Sequence, residues 1–227
     1  MSSSYNAIIA GASGLVGSKL LTLLERTDHI ETVYALCRSP LDTHASKTIQ
    51  LMDGALRVTN WEDSSPTPTL GFICLGTTLK QAGSKAALEK VDYDLVCDVA
   101  QTMKMIGVTR IAVVSSLGAS PRSLSHYLKC KGRVERRIEG MGFDQVVFVR
   151  PGPLAGREKQ IRSDEVAVQK IFSLLSPLMI GPLRSYAPIP AESVAQAMLY
   201  SVIEHHDANC VAYNSANMLD ILSSYQN

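Results

Sequence analysis

The segment SHYLKCKGRVERR, Ser125 to Arg137, places Tyr127 four residues before Lys131. On a helix that spacing puts a phenol and an ammonium on one face. A free phenol titrates near pH ~10, too high for an efficient proton carrier at neutrality. A neighbouring ammonium favours the phenolate and lowers that value. None of the other tyrosines has a lysine four places on. Just upstream, the apolar run RIAVVSS ends in Ser115 and Ser116, whose hydroxyls could hold a substrate oxygen. Either serine is a candidate. The remaining cations of the segment, Lys129, Arg133, Arg136 and Arg137, interleave with Glu135 and Glu139 and read as a solvated face. Cys130 lies between the pair; it reads as an inert thiol, with a reactive one as the lesser alternative.

A second constellation sits near the N-terminus. GASGLVG follows the apolar run AIIA and opens an apolar-periodic helix through Leu20, Leu21, Leu23 and Leu24. Gly11, Gly14 and Gly17 allow a sharp turn and a close approach of backbone N–H groups to a pyrophosphate at a helix N-terminus. Strand before, helix after: this is the context that the dinucleotide fingerprint requires. Ser13, Leu15 and Val16 belong to the same cradle. About twenty residues on, where an NAD site would carry a carboxylate, the sequence has Arg38 and Ser39. A guanidinium and a hydroxyl suit a 2′-phosphate, which favours NADP(H) over NAD(H); a solvated loop arginine is the alternative. Leu75, Gly76, Thr77 and Thr78 follow a later strand and would border the same cofactor. With a nicotinamide present, Lys131 could also hold its ribose while Tyr127 carries the proton.

These residues need a scaffold that brings strand ends together. Apolar runs at Ala7–Ala10, Thr32–Cys37, Gly71–Leu75, Arg110–Ser115 and Gln145–Arg150 alternate with helical patterns. A weak third strand is expected at Ala55–Thr59. A long helix fits Leu88–Gly107, with Val91, Leu95, Val99 and Met103 along its inward stripe. A final helix, Ala191–Glu204, precedes an edge strand at Cys210–Asn214. Near-continuous apolar strands separated by helices imply an α/β Rossmann-type doubly wound parallel sheet, covered on both faces. Residues 161–190 break the rhythm with an amphipathic helix and several prolines, an insertion suited to covering a site.

The totals narrow the function. A chain of 227 residues is expected to form one domain over 1–227, with about 151–190 and the C-terminal segment lining a substrate pocket. A net charge of +1 argues against a nucleic-acid binder. Five scattered Cys without a CxxC give no metal site and suit a reducing compartment. No apolar segment reaches the length of a membrane span, and the N-terminus lacks a secretory pattern. The expectation is a soluble, cytoplasmic protein.

Taken together, GASGLVG, SSLGAS, YLKCK and RPGPLAG resemble the short-chain dehydrogenase/reductases in their extended or atypical branch. More narrowly, CLGTT and FVRPGPL are similar to the NAD(P)-binding oxidoreductases related to the Tat-interacting protein. The resemblance implies NADP(H), a Ser/Tyr/Lys site with Tyr127 as acid/base and Ser116 favoured over Ser115, and Arg150, Pro151, Gly152, Pro153 and Leu154 beside the nicotinamide. It implies a small carbonyl or alcohol as substrate, and a homodimer through exposed helices. Where many members carry an asparagine on the preceding helix, this chain has Asp92. Two other functions share these features: an NADP(H)-binding regulator with little turnover, and a nucleotide-sugar epimerase-like isomerase.

Overall fold

The structure, a computed structural model, describes residues 4–58, 61–62, 64–155, 181–204 and 206–225. Its centre is a seven-stranded sheet in which every neighbouring pair is parallel. The strands are β1 (Tyr5–Ala10), β2 (Ile30–Cys37), β3 (Thr48–Met52), β4 (Leu70–Ile73), β5 (Arg110–Val114), β6 (Gln145–Arg150) and β9 (Cys210–Asn214). Two short strands, β7 (Leu154–Ala155) and β8 (Ile189–Pro190), pair separately. The order β3-β2-β1-β4-β5-β6-β9 reverses direction between β1 and β4, and a doubly wound sheet opens its ligand crevice at that switch point.

The inner strands are apolar because both faces are covered. Ala7, Ile8, Ile9 and Ala10 of β1 are fully buried, as are Phe72 and Ile73 of β4. Two layers of side chains fill the space on either side. One packs α1 (Leu15–Arg26) and the long C-terminal helix of residues Ala191–Ile203 against the sheet through Leu20, Leu24, Val194, Met198 and Val202. The other packs α4 (Val96–Met105) and α5 (His126–Glu139) through Val99, Met103, Val134 and Ile138. Between α1 and α5 come two short helices, α2 (Leu79–Ala82) and α3 (Lys85–Glu89). The two helices after β8 are α6 (Ala191–Ile203) and α7 (Ser215–Tyr225).

Two expectations about elements are corrected. The third strand is Thr48–Met52, upstream of Ala55–Thr59. The Asp53 carboxylate accepts the backbone N–H groups of Ala55 and Arg57, which curls the chain there instead of extending it. Leu56 takes φ +54° in that turn and is nevertheless buried. The strand itself escaped notice because it is half exposed at the sheet edge, with Ile49 and Met52 facing out. The expected helix Leu88–Gly107 is instead α3, a π-helical turn at Lys90–Leu95, and α4. The wider turn shifts the inward face by a residue, so Asp92 and Val96 are buried where Val91 and Leu95 are only half so. The expected amphipathic helix after Ile161 lies outside the described residues, apart from a 3₁₀ turn at Gly181–Tyr186.

Helix α5 approaches the loop after β5 so closely that Gly132 has no room for a side chain: a Cβ there would overlap the Ser120 carbonyl carbon and the Pro121 nitrogen. Both are backbone atoms and cannot swing aside. Gly132→Ala is expected to destabilise the fold by about 3 kcal/mol, read as a lowered urea midpoint at unchanged m-value.

Candidate active site

The glycine loop joins the carboxyl end of β1 to α1. Gly11 has φ +91°, and a Cβ on it would come within 2.7 Å of the Cys74 carbonyl carbon at the end of β4. A Cβ on Gly17 would overlap the Gly11 carbonyl. These two glycines therefore bring loop, helix and neighbouring strand into backbone contact. Gly14 is the N-cap of α1 and supplies no side-chain cap, and no acidic residue lies in the first turn. The helix's first N–H groups and positive dipole end thus remain available to an anion.

Beside this loop lies an open cleft lined by Gly11, Ala12, Ser13, Leu36, Cys37, Arg38, Ser39, Pro40, Leu41, Leu56 and Leu75. Its walls are apolar at Leu36, Leu41 and Leu56. Its rim carries Arg38 and Ser39, both exposed, and Arg38 forms no ion pair among the described residues. These residues fit the adenosine half of a dinucleotide, with an apolar slot suited to a base and a backbone cradle suited to a pyrophosphate.

The other half of the site lies under α5. Ser125 caps this helix, its Oγ accepting from the Leu128 N–H, and the sequence then places Tyr127, Lys131 and Glu135 one turn apart on one face. Tyr127 is half-buried, whereas Lys131 and Glu135 are buried. Lys131 Nζ lies 6.0 Å from the centre of the Tyr127 ring. It also lies 3.4 Å from the Val114 carbonyl oxygen, to which it donates. Its counter-ion is Asp92, at 2.8 Å from Oδ1. Asp92 is fully buried, and its Oδ2 accepts the Thr77 N–H at 2.9 Å. Oδ1 receives no aligned hydrogen bond, so the contact with Lys131 is chiefly ionic. A buried ammonium needs such a partner, since desolvating a lone charge costs several kcal/mol.

One turn further, Glu135 accepts from Ser115 Oγ at 2.6 Å and from Arg150 Nε at 2.9 Å, both at Oε1; Arg150 Nη2 donates to Oε2 at 2.5 Å. The carboxylate beside it holds the Arg150 guanidinium above its usual range. Glu135 was expected on a solvated face, and this is corrected: a carboxylate one turn from Lys131 shares its inward direction. Arg133, assigned to the same face, pairs with Glu89 and stacks over the Tyr93 ring at 4.2 Å. The Ser115 hydroxyl is engaged with Glu135, whereas Ser116 at the next position is half-buried. Cys130 is buried, and burial pushes its thiol up to about 11, so it stays protonated and unreactive at neutral pH. At the end of β6, Pro151 is buried, and the Gly152 N–H donates to Ser215 Oγ at 2.9 Å. Leu154 is half-buried in β7. Sequence reasoning had Asp92 only as a departure from a family pattern and Arg150 only as the start of the segment beside the nicotinamide; it missed the Glu135–Arg150 pair and the close packing at Gly132, and for Glu135 a polar residue every fourth position on α5 was the available signal.

The doubly wound parallel topology with a glycine loop after β1 is a Rossmann-type fold. Solved structures of similar fold include MoeE5 in complex with UDP-glucose and NAD (TM-score 0.64, 15% identity, covering 96% of this chain and 80% of that one). The oxidoreductase ylbE of Lactococcus lactis gives 0.63 at 17% identity, covering 97% and 96%. The human epimerase family protein SDR39U1 with NADPH gives 0.61 at 13%, covering 92% and 74%. A family model described as HIM1 matches residues 68–180. The protein FMP52 of Debaryomyces hansenii is 31% identical over 202 residues, 88% of each chain. That of Meyerozyma guilliermondii is 32% identical over 203 residues, 87% of this chain and 85% of its own. The chain belongs to the FMP52 family. Both relatives are named as mitochondrial proteins, which overturns the cytoplasmic expectation. Reduced cysteines separate reducing from oxidising compartments and do not tell one reducing compartment from another.

Removing the Glu135 carboxylate would strand the Ser115 hydroxyl and a partly buried guanidinium. Glu135→Ala is expected to cost about 3 kcal/mol of unfolding free energy, measured by urea denaturation.

Proposed function

We propose that the protein is an NADP(H)-dependent oxidoreductase acting on a small carbonyl/alcohol pair, with Tyr127 as general acid/base. The observation that carries this reading is the α5 stripe itself. Tyr127 stands one turn from a lysine fixed by Asp92 and the Val114 carbonyl, on a fold whose glycine loop prepares a dinucleotide cradle. A bound nicotinamide supplies or accepts the hydride. Tyr127 exchanges the proton with the substrate oxygen, and Ser116 holds that oxygen in place. Lys131, held by Asp92 and the Val114 carbonyl, orients the ribose beside the phenol. Gly11, Ser13, Gly14, Leu15, Val16 and Gly17 receive the pyrophosphate; Arg38 and Ser39 take the 2′-phosphate. Leu75, Gly76, Thr77 and Thr78 line one side of the cofactor, and Pro151, Gly152 and Leu154 the other. The mitochondrial naming of the FMP52 relatives supports a mitochondrial location for this chain as well.

Two substitutions test the assignment. Arg38→Ala is expected to weaken NADPH binding about tenfold with little effect on NADH, measured by nucleotide fluorescence; equal losses for both would remove the 2′-phosphate role. Tyr127→Phe should keep NADPH affinity within about twofold while turnover falls at least 10²-fold on any carbonyl reduced by the wild type, followed by NADPH absorbance. Wild-type rates in that variant would refute the proton-transfer role.

A further inference from the structure

The buried charges under α5 come in balanced pairs. Lys131 faces Asp92, and Glu135 faces Arg150. The side chains of Lys131 and Asp92 are 4% and 0% exposed, so water does little to screen them. What lies over the first pair is Gly76, an exposed residue without a side chain. A Cβ placed on it would stand 3.3 Å from Asp92 Oδ1 and 3.4 Å from Lys131 Nζ. At Gly76, then, only backbone covers the pair. Its net charge is therefore felt by whatever binds against the β4–α2 loop and Tyr127.

A nicotinamide ring carries a full positive charge when oxidised and none when reduced. A lone buried ammonium would repel the oxidised form and leave the reduced form untouched. We propose that Asp92 makes this end of the site electroneutral and so sets the relative affinity for oxidised and reduced cofactor. The asparagine expected at this position from related proteins would preserve a hydrogen-bond acceptor for the Thr77 N–H, but not the negative charge. Asp92 acts here as a positioning residue through Lys131 and Thr77, and as a fixed countercharge. The inference rests on the NADP(H) reading of the site.

The test is calorimetric titration of NADP⁺ and NADPH at pH 7 into the wild type, Asp92→Asn, Lys131→Met and the double variant. Asp92→Asn leaves one uncompensated positive charge. It should raise the ratio of the NADP⁺ to the NADPH dissociation constant about tenfold, the size of one charge acting through an effective dielectric of about 20. By linkage that is a shift of about 30 mV in the potential of the bound two-electron couple, towards easier reduction. Lys131→Met leaves the carboxylate alone and should move the ratio the other way, while weakening both forms through the lost ribose contact. The double variant should return it to near the wild-type value. A merely structural role for Asp92 would weaken both forms alike and leave the ratio unchanged. If Asp92→Asn does not fold, Lys131→Met against the double variant measures the same carboxylate. Ratios unchanged across the variants, or shifted in one direction by both single substitutions, overturn the inference while leaving the cofactor assignment standing. Wild-type protein that binds neither nucleotide overturns the cofactor reading, and this inference with it.

Discussion

A lysine ammonium held almost free of water is the constraint around which half of this molecule is arranged. Desolvation makes a lone ammonium in such a place costly, so the helix that carries it requires an anion opposite. Asp92 supplies the anion, and it can do so because the helix before α4 widens into a π turn that rotates a carboxylate inward. The same carboxylate holds the Thr77 N–H, so the loop after β4 and helix α5 are fastened to one group. Gly132 and Gly76 complete the arrangement by omission. The first lets α5 press against the loop after β5, and the second leaves space over the ion pair.

The two halves of the site follow opposite physical rules. At the glycine loop, affinity for an anion comes from backbone: an uncapped helix N-terminus, two glycines in contact with neighbouring carbonyls, and an apolar slot beside them. The described residues that form this cradle carry charge only at the rim, on Arg38. Beneath α5, the work is done by side chains that would be costly singly and are tolerable in pairs. Backbone cradles tolerate variation in the residues around them, because every residue except proline has an N–H. Buried ion pairs do not, since each member determines what its partner must be.

The sheet was largely legible in the sequence because its inner strands are buried on both faces, which makes them short continuous apolar runs. Six of its seven strands are found within a residue or two of their expected positions. β3 escaped because an edge strand has one wet face, and because the apolar stretch after it is diverted by the Asp53 carboxylate. The glycine loop and the Tyr127/Lys131 spacing are local patterns and could be read directly. Asp92, Glu135 and Arg150 could not be, for a different reason. Their partners lie 39 residues away in one case and 15 in the other, and charged residues on an amphipathic helix ordinarily face solvent. The π turn compounded this: Val91 and Leu95 make a convincing apolar stripe at α-helical period, and only the altered turn puts Asp92 on the inside.

The paired seam under α5 also constrains how the protein can change over time. A substitution at residue 92 alters what residue 131 must be, and one at 135 alters what 150 must be, although each pair spans different elements of the fold. Mutational effects at such positions are not additive, so single steps pass through a state with an orphaned charge. Lineages would then be expected to exchange these residues two at a time, if at all. In evolutionary terms each pair is inherited as a unit, and the four charged positions amount to two characters rather than four.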